Sequence, residues 1–282
     1  METLQIGTIT KQVPSTWNEL RRRQLLDVLA ELYSKADPAR RLRLLAILTG
    51  FRLPLLTGLA PDVLAQLLPL TDFLTSETHL LTEQLLPTLG IPGRHLTERP
   101  TTWQGPRGHF QNLSFGEFIF ADTFFVLYAL HGKAEYLDSF ITVLYRPARR
   151  VTTKAGLVEQ NASPEDADWN GDVRQAFNEH QLEVRALRVR HVPALEKLAI
   201  VTWYRGCRTQ LAQEFADVFV EAEQDAPAAG QVPDWSRVLR KLSGSAFGTV
   251  TQTAGQPLRL VLAEMNELAA EAQRLKTQAS HA

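Results

Sequence analysis

Cysteine and long apolar runs are both scarce in this sequence of 282 residues. The single cysteine, Cys207, has no partner for an internal disulfide and cannot supply a thiolate zinc cluster. The most apolar stretch, from Phe115 to Leu130, is interrupted by Glu117 and Asp122 and is shorter than the roughly 20 residues that span a bilayer. We therefore expect no disulfide and no membrane-spanning helix.

The sequence also has little net charge. Its 30 lysines and arginines nearly balance 31 aspartates and glutamates, which gives a formal charge of −1. No overall field attracts nucleic acid or anionic lipid, so any such affinity must be local. The first residues, Met1 to Leu4, lack the basic start and apolar run of a secretory signal. With the single cysteine, this predicts a cytoplasmic protein.

Catalytic and cofactor-binding motifs are missing as well. None of the seven histidines belongs to the paired histidine and glutamate pattern of helical zinc proteases, and no glycine-rich segment has the spacing of a phosphate-binding loop. Arginines near Cys207 could lower the pKa of its thiol, but a lone cysteine is more typically a small buried apolar residue. The sequence therefore predicts no enzyme activity, no cofactor and no metal site.

Helical periodicity dominates what is present. Apolar residues Leu25, Val28, Leu29 and Leu32 recur with the spacing of one helix face, and Asp37-Pro38 is typical of the start of a second helix. Residues 4 to 13 alternate loosely and predict a short strand or hairpin arm. We therefore expect a mostly α fold with a helical core and a minor N-terminal β element.

One central helix is predicted to organise the core. Ser114 followed by Glu117 matches a capping box, in which each side chain satisfies a free backbone N–H at a helix start. The residues that follow are aromatic on most of the circumference: Phe115, Phe118, Phe120, Phe124, Phe125 and Tyr128. A helix that is apolar nearly all round is packed on several sides. We therefore expect Phe124 in the core.

Two regions resist a helical assignment. Prolines and glycines between residues 82 and 113 preclude a long helix, and the alternative fold is α+β with a larger sheet from these residues. The segment from Arg149 to Gly171 is polar and contains Ser163-Pro164, which predicts an exposed loop.

The C-terminal part of the sequence suggests a small separate helical region. Residues 211 to 234 carry six acidic residues and no lysine or arginine, and Ala226 to Gly230 resembles a linker. We therefore predict a main helical domain over residues 1–225 and a small C-terminal helical part over residues 230–282. The last helix carries an apolar stripe that is the candidate partner-binding surface. The alternative is that this stripe packs on the core of the same chain. Its residues are Leu258, Val261, Leu262, Met265 and Leu268.

Arginine clusters are the remaining feature of the sequence that could bind a ligand. They lie at Arg21 to Arg23, Arg40 to Arg43, Arg146 to Arg150 and Arg185 to Arg190. Each could contact phosphates, although a run of charges is usually a solvated helix face. Convergence of the clusters on one face would favour a nucleic-acid-associated protein, which we keep as the alternative function.

Several segments spread over nearly the whole chain carry a family resemblance. They are Val13-Pro14-Ser15-Thr16-Trp17-Asn18-Glu19-Leu20, Leu113 to Asp122, Leu144-Tyr145-Arg146-Pro147, Ala199 to Tyr204, and Asp234-Trp235 through Gly248-Thr249. Together they resemble proteins of tailed phages and prophages from Bacteroidetes-type bacteria, some of them similar to tail assembly chaperones. The resemblance implies a non-enzymatic protein-binding factor in phage tail assembly that holds an aggregation-prone tail protein until assembly. The implied partner is a phage tail component.

Overall fold

The chain divides into two compact units in the computed structural model. The structure describes residues 1–6, 9–93, 98–152, 159–161, 171–219, 235–243 and 248–280. Unit 1 consists of Met1–Leu86 with Pro193–Cys207, and unit 2 of Pro87–Val192 with Arg208–Ala282. The domain boundary predicted between residues 225 and 230 lies outside the described residues.

Unit 1 is a small hairpin followed by helices. Strands β1 (Glu2–Ile6) and β2 (Ile9–Val13) pair antiparallel, with Glu2 opposite Val13. The helices are α1 (Arg22–Tyr33), α2 (Arg40–Thr49), α3 (Leu53–Thr57) and α4 (Pro61–Leu67), with 3-10 turns at Trp17–Glu19 and Leu68–Leu74. The hairpin and the first two helices agree with the sequence prediction.

The core of unit 1 follows the predicted apolar spacing. Leu25, Val28 and Leu29 of α1 are fully buried. Leu45 of α2 packs with Leu56 and Leu67 in one cluster. Because residues three and four apart lie on one side of a helix, Leu25, Val28 and Leu29 form one buried face of α1.

The 3-10 turn Trp17–Glu19 has no side-chain cap. Thr16 precedes the turn, but its side chain makes no capping hydrogen bond. Glu19 Oε2 instead accepts hydrogen bonds from the backbone N–H of Ser15 at 2.8 Å and from its hydroxyl at 3.1 Å. The Glu19 carboxylate therefore stabilises the turn by accepting both bonds from Ser15.

Unit 2 contains a pair of long helices that pack on each other, α5 (Phe115–His131) and α6 (Ala134–Leu144). Strands β3 (Thr88–Ile91), β4 (Thr101–Gln104) and β5 (Arg146–Pro147) form an antiparallel sheet in that order, and β6 (Arg150–Thr152) pairs with β7 (Glu159–Asn161). The remaining helices are α7 (Leu182–Val189), α8 (Ala194–Glu214), α9 (Trp235–Leu242), α10 (Val250–Gly255) and α11 (Leu258–Ser280). The first residues of α8, to Cys207, count with unit 1.

The mostly α prediction is confirmed, and the alternative of a larger sheet over residues 82–113 is wrong. That region supplies only the four-residue strands β3 and β4 among its described residues. Pro92 directly follows β3 and Pro100 directly precedes β4. Proline has no N–H to donate to a ladder, so the pairing cannot extend past these positions.

Helix α5 begins where predicted, but only its first half is core. Ser114 Oγ accepts a hydrogen bond from the backbone N–H of Glu117 at 3.2 Å. Phe115 and Phe118 are fully buried, whereas Phe124 is only partly buried. The helix ends at Gly132, whose φ of 65° is a left-handed conformation that glycine adopts without steric cost.

The segment from Arg149 to Gly171 differs from the predicted loop. The paired strands β6 and β7 lie within it, with Arg150 opposite Asn161. The rest of the predicted loop lies outside the described residues. Elsewhere, no helix in the described part of the chain is long and apolar enough to cross a membrane.

Candidate functional site

A large cleft in unit 2 is the candidate functional site, and we call it the cleft. Its volume is about 1320 Å³, and most of its lining comes from three parts of the unit. These are the start of α5 with the segment before it, residues 171–181, and α10 with Pro257. The cap at Ser114 and the bridge between Ser114 and Pro257 fix the first and third parts against each other.

Four charged side chains at the floor of the cleft form a buried ion cluster: Glu117, Arg146, Asp172 and Arg174. The two oxygens of Glu117 each pair with one arginine, Oε1 with Arg146 Nη2 at 2.5 Å and Oε2 with Arg174 Nη2 at 3.0 Å. Arg174 Nε also donates to both carboxylate oxygens of Asp172, at 2.9 and 3.0 Å. The cluster is neutral because two cations balance two anions.

Arg174 is satisfied by the protein itself. Besides the carboxylates, it donates to the backbone carbonyls of Leu144 at 2.9 Å and Asn112 at 3.0 Å. Burial alone would lower the pKa of Arg174, but attraction to Glu117 and the bonds to Asp172 outweigh it and raise that pKa. Its role is therefore to hold three segments of unit 2 together.

Arg146 is less completely satisfied. Its side chain is 1% exposed, and Nη1 donates to the carbonyl of Val143 at 3.0 Å. Its Nε–H is buried without a hydrogen-bond partner among the described residues. Burial lowers the pKa of Arg146 to about 10, and repulsion from Arg174 acts in the same direction against the attraction to Glu117. A donor in this state favours a further acceptor.

Two arginines at the rim of the cleft lack a carboxylate partner within the described part of the chain. The exposed Arg107 makes its one hydrogen bond there through its backbone N–H, to Asn112. Arg185 Nη2 donates to Gln175 Oε1 at 2.8 Å, a neutral acceptor, and burial lowers the pKa of this guanidinium. Among the described residues, no ion pair neutralises these two cations at the rim.

An aromatic pair adds an apolar wall. Phe120 of α5 and Phe177 pack with ring centroids 5.2 Å apart, and both line the cleft. The guanidinium carbon of Arg146 lies 5.9 Å from the centre of the Phe177 ring, within the range of a cation–π contact. The cleft thus offers apolar and cationic groups side by side.

The structure places the predicted partner-binding stripe mostly inside unit 2. Leu258, Val261 and Leu262 are fully buried, whereas Met265 is partly buried and Leu268 is 49% exposed. The backbone N–H of Leu258 donates to the carbonyl of Leu113 at 2.9 Å, next to the cleft. The start of α11 is therefore packed, and its partner-binding role stays a prediction.

Several arginines of the predicted clusters form ion pairs within their own units. In unit 1, Arg22 pairs with Glu196 at 2.7 Å and Arg41 with Asp72 at 2.6 Å. Arg43 donates hydrogen bonds to the carboxylate of Asp37, and these bonds lower the pKa of Asp37. In unit 2, Arg188 pairs with Glu98 at 3.0 Å. Arg146, predicted as part of a solvated run, is instead buried.

Cys207 lies in the interior of unit 1. Cys207 is buried, and its thiol lies 3.3 Å from the carbonyl oxygen of Thr82, which also accepts a bond from Trp203 Nε1 at 3.0 Å. This environment is that of a packed apolar residue rather than an exposed nucleophile. In the described ranges, no three side chains of histidine, cysteine or acid are grouped to hold a metal ion.

Sequence reasoning missed most of the site. Glu117 was assigned to a capping box, but its carboxylate oxygens pair with Arg146 and Arg174. Asp172 and Arg174 lie just after the predicted loop and have no periodic or motif signal. Two sequence features indicate a buried pair: the acid Glu117 inside an apolar helix, and the arginine of Arg146-Pro147. Acids and arginines are rarely buried unless they are paired.

Comparisons with known proteins provide no family assignment. No protein-family model matches the chain, and no curated protein and no solved structure shows significant similarity to it.

Proposed function

We propose that this protein is a non-enzymatic protein-binding factor that takes an extended segment of its partner into the cleft. The family resemblance supplies the context, phage tail assembly, with a tail component as the partner. The observation that carries the proposal is the size of the cleft together with its mixed lining.

The volume favours a chain segment over a small molecule. Small-molecule pockets typically measure about 300–1,000 Å³, and this cleft is about 1320 Å³. Its lining includes the aromatic rings of Phe120 and Phe177 and amide side chains such as Gln111 and Gln181, which can bond a peptide backbone. These features suit a segment that needs both apolar contact and backbone hydrogen bonds.

A blocking variant tests the proposal. Ala176 is an exposed residue of the lining, so Ala176→Trp adds bulk to the cleft without removing a buried contact. Ala30, on the exposed side of α1, provides the matched control Ala30→Trp. Each protein would be co-expressed with the tail proteins of the same genome and purified by an affinity tag.

We expect a tail component to co-purify with the wild type and with Ala30→Trp, and at least tenfold less of it with Ala176→Trp. Failure of every tail protein to co-purify would contradict the tail-assembly context. Equal recovery with Ala176→Trp would contradict the cleft as the binding site.

A nucleic-acid-associated function is the second candidate, and one observation favours it. Arg107, Arg149 and Arg185, from separate parts of the sequence, line the same cleft. Counterion release makes such binding fall steeply with salt. Measuring the binding of a single-stranded DNA 12-mer between 50 and 200 mM salt tests this candidate, and no binding at 50 mM would remove it.

A further inference from the structure

The charges that line the cleft do not cancel. Five arginines face three carboxylates, those of Glu117, Asp172 and Glu179. The buried ion cluster is neutral in itself, since it contains two of the arginines and two of the carboxylates. The excess positive charge therefore belongs to the rim, where an incoming ligand arrives first.

Three donors of the cleft are poorly used by the protein. Arg107 and Arg185 have no carboxylate partner among the described residues, and the buried Arg146 Nε–H has no acceptor there. A guanidinium binds a carboxylate through two parallel hydrogen bonds, which a single amide oxygen such as that of Gln175 cannot match. A carboxylate ligand would therefore bind Arg185 more strongly than Gln175 does.

We infer that the cleft recognises an acidic peptide segment, in which carboxylates pair with Arg107 and Arg185 and a neighbouring apolar side chain packs on Phe177. The inference rests on the proposed function and specifies the chemistry of the partner segment. The guanidinium carbon of Arg146 lies 5.9 Å from the centre of the Phe177 ring, and its buried Nε–H has no acceptor among the described residues.

The same lining disfavours a nucleic acid. A nucleic acid strand carries a negative charge at every nucleotide, and the exposed carboxylate of Glu179 in the lining would repel some of these phosphates. A peptide can space its carboxylates to meet the two rim arginines while leaving neutral residues beside the acids. Asn178 and Gln181 also line the cleft. Their amides complement a peptide backbone.

Fluorescence anisotropy with defined probes tests the inference. The probes are a labelled 12-residue peptide with four glutamates separated by leucine and serine, the same peptide with glutamine at those four positions, and a dT 12-mer. The full chain would be titrated at 50 and 200 mM salt. Circular dichroism of each variant checks that it is folded.

We expect the glutamate peptide to bind at least tenfold tighter than the glutamine peptide. Arg185→Gln and Arg107→Gln should each weaken its binding about tenfold, the loss typical of one hydrogen bond to a charged group. Arg185→Lys, which keeps the charge but not the paired donors, should lose less. Arg23→Gln, at an arginine that is 94% exposed in unit 1, should change nothing.

Each contrary result has a separate meaning. Equal binding of the two peptides, or none by the glutamate peptide, overturns the acidic specificity, while co-purification of a tail protein would still support the proposed function. Tighter binding of the dT 12-mer that depends on Arg185 would overturn the inference in favour of the nucleic-acid function. Failure of both the peptides and the co-purification would remove both proposals.

Discussion

The indole Nε1 of Trp235 donates a hydrogen bond to Oδ2 of Asp122 at 2.8 Å. Asp122 is fully buried, and its other oxygen accepts a bond from Arg208 Nε at 2.6 Å. The Trp235 ring also packs edge-on against Phe118, with centroids 5.2 Å apart. This buried carboxylate therefore joins α5, α8 and α9.

Trp235→Phe should lower the free energy of unfolding by roughly 1.5–3 kcal/mol, the range for a lost hydrogen bond to a charged group. The phenyl ring keeps much of the packing against Phe118. Urea unfolding followed by circular dichroism measures the loss. Trp103→Phe controls for indole volume, because no hydrogen bond joins the buried Trp103 indole to the described residues. Equal losses in the two variants would mean that packing alone matters.

Glu117→Gln should destabilise the protein by about 3–5 kcal/mol, because removing one member of a buried ion cluster leaves its partners uncompensated. Arg146 and Arg174 would then face each other with only Asp172 between them. Glu135→Gln, at an exposed position in the first turn of α6, is the control and should cost less than about 1 kcal/mol. A cost below 1 kcal/mol for Glu117→Gln would show that the cluster contributes little to stability.

Gly206→Ala should lower the free energy of unfolding by about 1–3 kcal/mol, although alanine is intrinsically better than glycine inside a helix by about 0.5–1 kcal/mol. A Cβ at this position would lie 2.2 Å from the backbone carbonyl oxygen of Leu81, so α8 or that backbone must shift. Gly90→Ala is the control, since a Cβ there meets nothing within 4 Å. Thermal unfolding of both variants distinguishes close approach from a general effect of glycine replacement.

Phe118→Ala should cost roughly 3–5 kcal/mol, the usual loss for a fully buried aromatic residue. Phe124→Ala, for which the sequence alone predicted such a cost, should cost clearly less, because Phe124 is only partly buried. Chemical denaturation of the pair checks the depth of the core along α5. A larger loss for Phe124→Ala would place the core at the other end of the helix.

The carboxylate of Glu19 should contribute stability that depends on pH. The amino group of Met1, with the hydrogen bonds from Ser15, lowers the pKa of Glu19 to about 2 from its usual 4.5. A carboxylate with a lowered pKa in the folded state stabilises above the unfolded pKa, and that contribution is lost as the pH falls from about 4.5 to 2. The difference in unfolding midpoint between wild type and Glu19→Gln should therefore be present at pH 7 and shrink by pH 2.5. A constant difference would contradict this origin.

The sequence by itself determined the helices and their caps. The spacing of Leu25, Val28 and Leu29 predicted a buried face of α1, and Ser114 predicted the start of α5. These features depend on residues within a few positions of one another, because helix periodicity and capping are local interactions. They could be inferred without knowing the tertiary structure.

Only the tertiary structure decided what the charged residues do. The sequence around Glu117 is correctly interpreted as a helix cap. Its carboxylate nevertheless forms ion pairs with Arg146 and Arg174, which lie 29 and 57 positions further along the chain. The cluster Arg146 to Arg150 predicts a solvated run of charges, but Arg146 is buried in unit 2. A salt bridge between residues distant in sequence depends on which segments fold together, and no periodicity encodes that choice. The cleft arises from the same long-range packing, because its lining comes from segments that become neighbours only when unit 2 is complete.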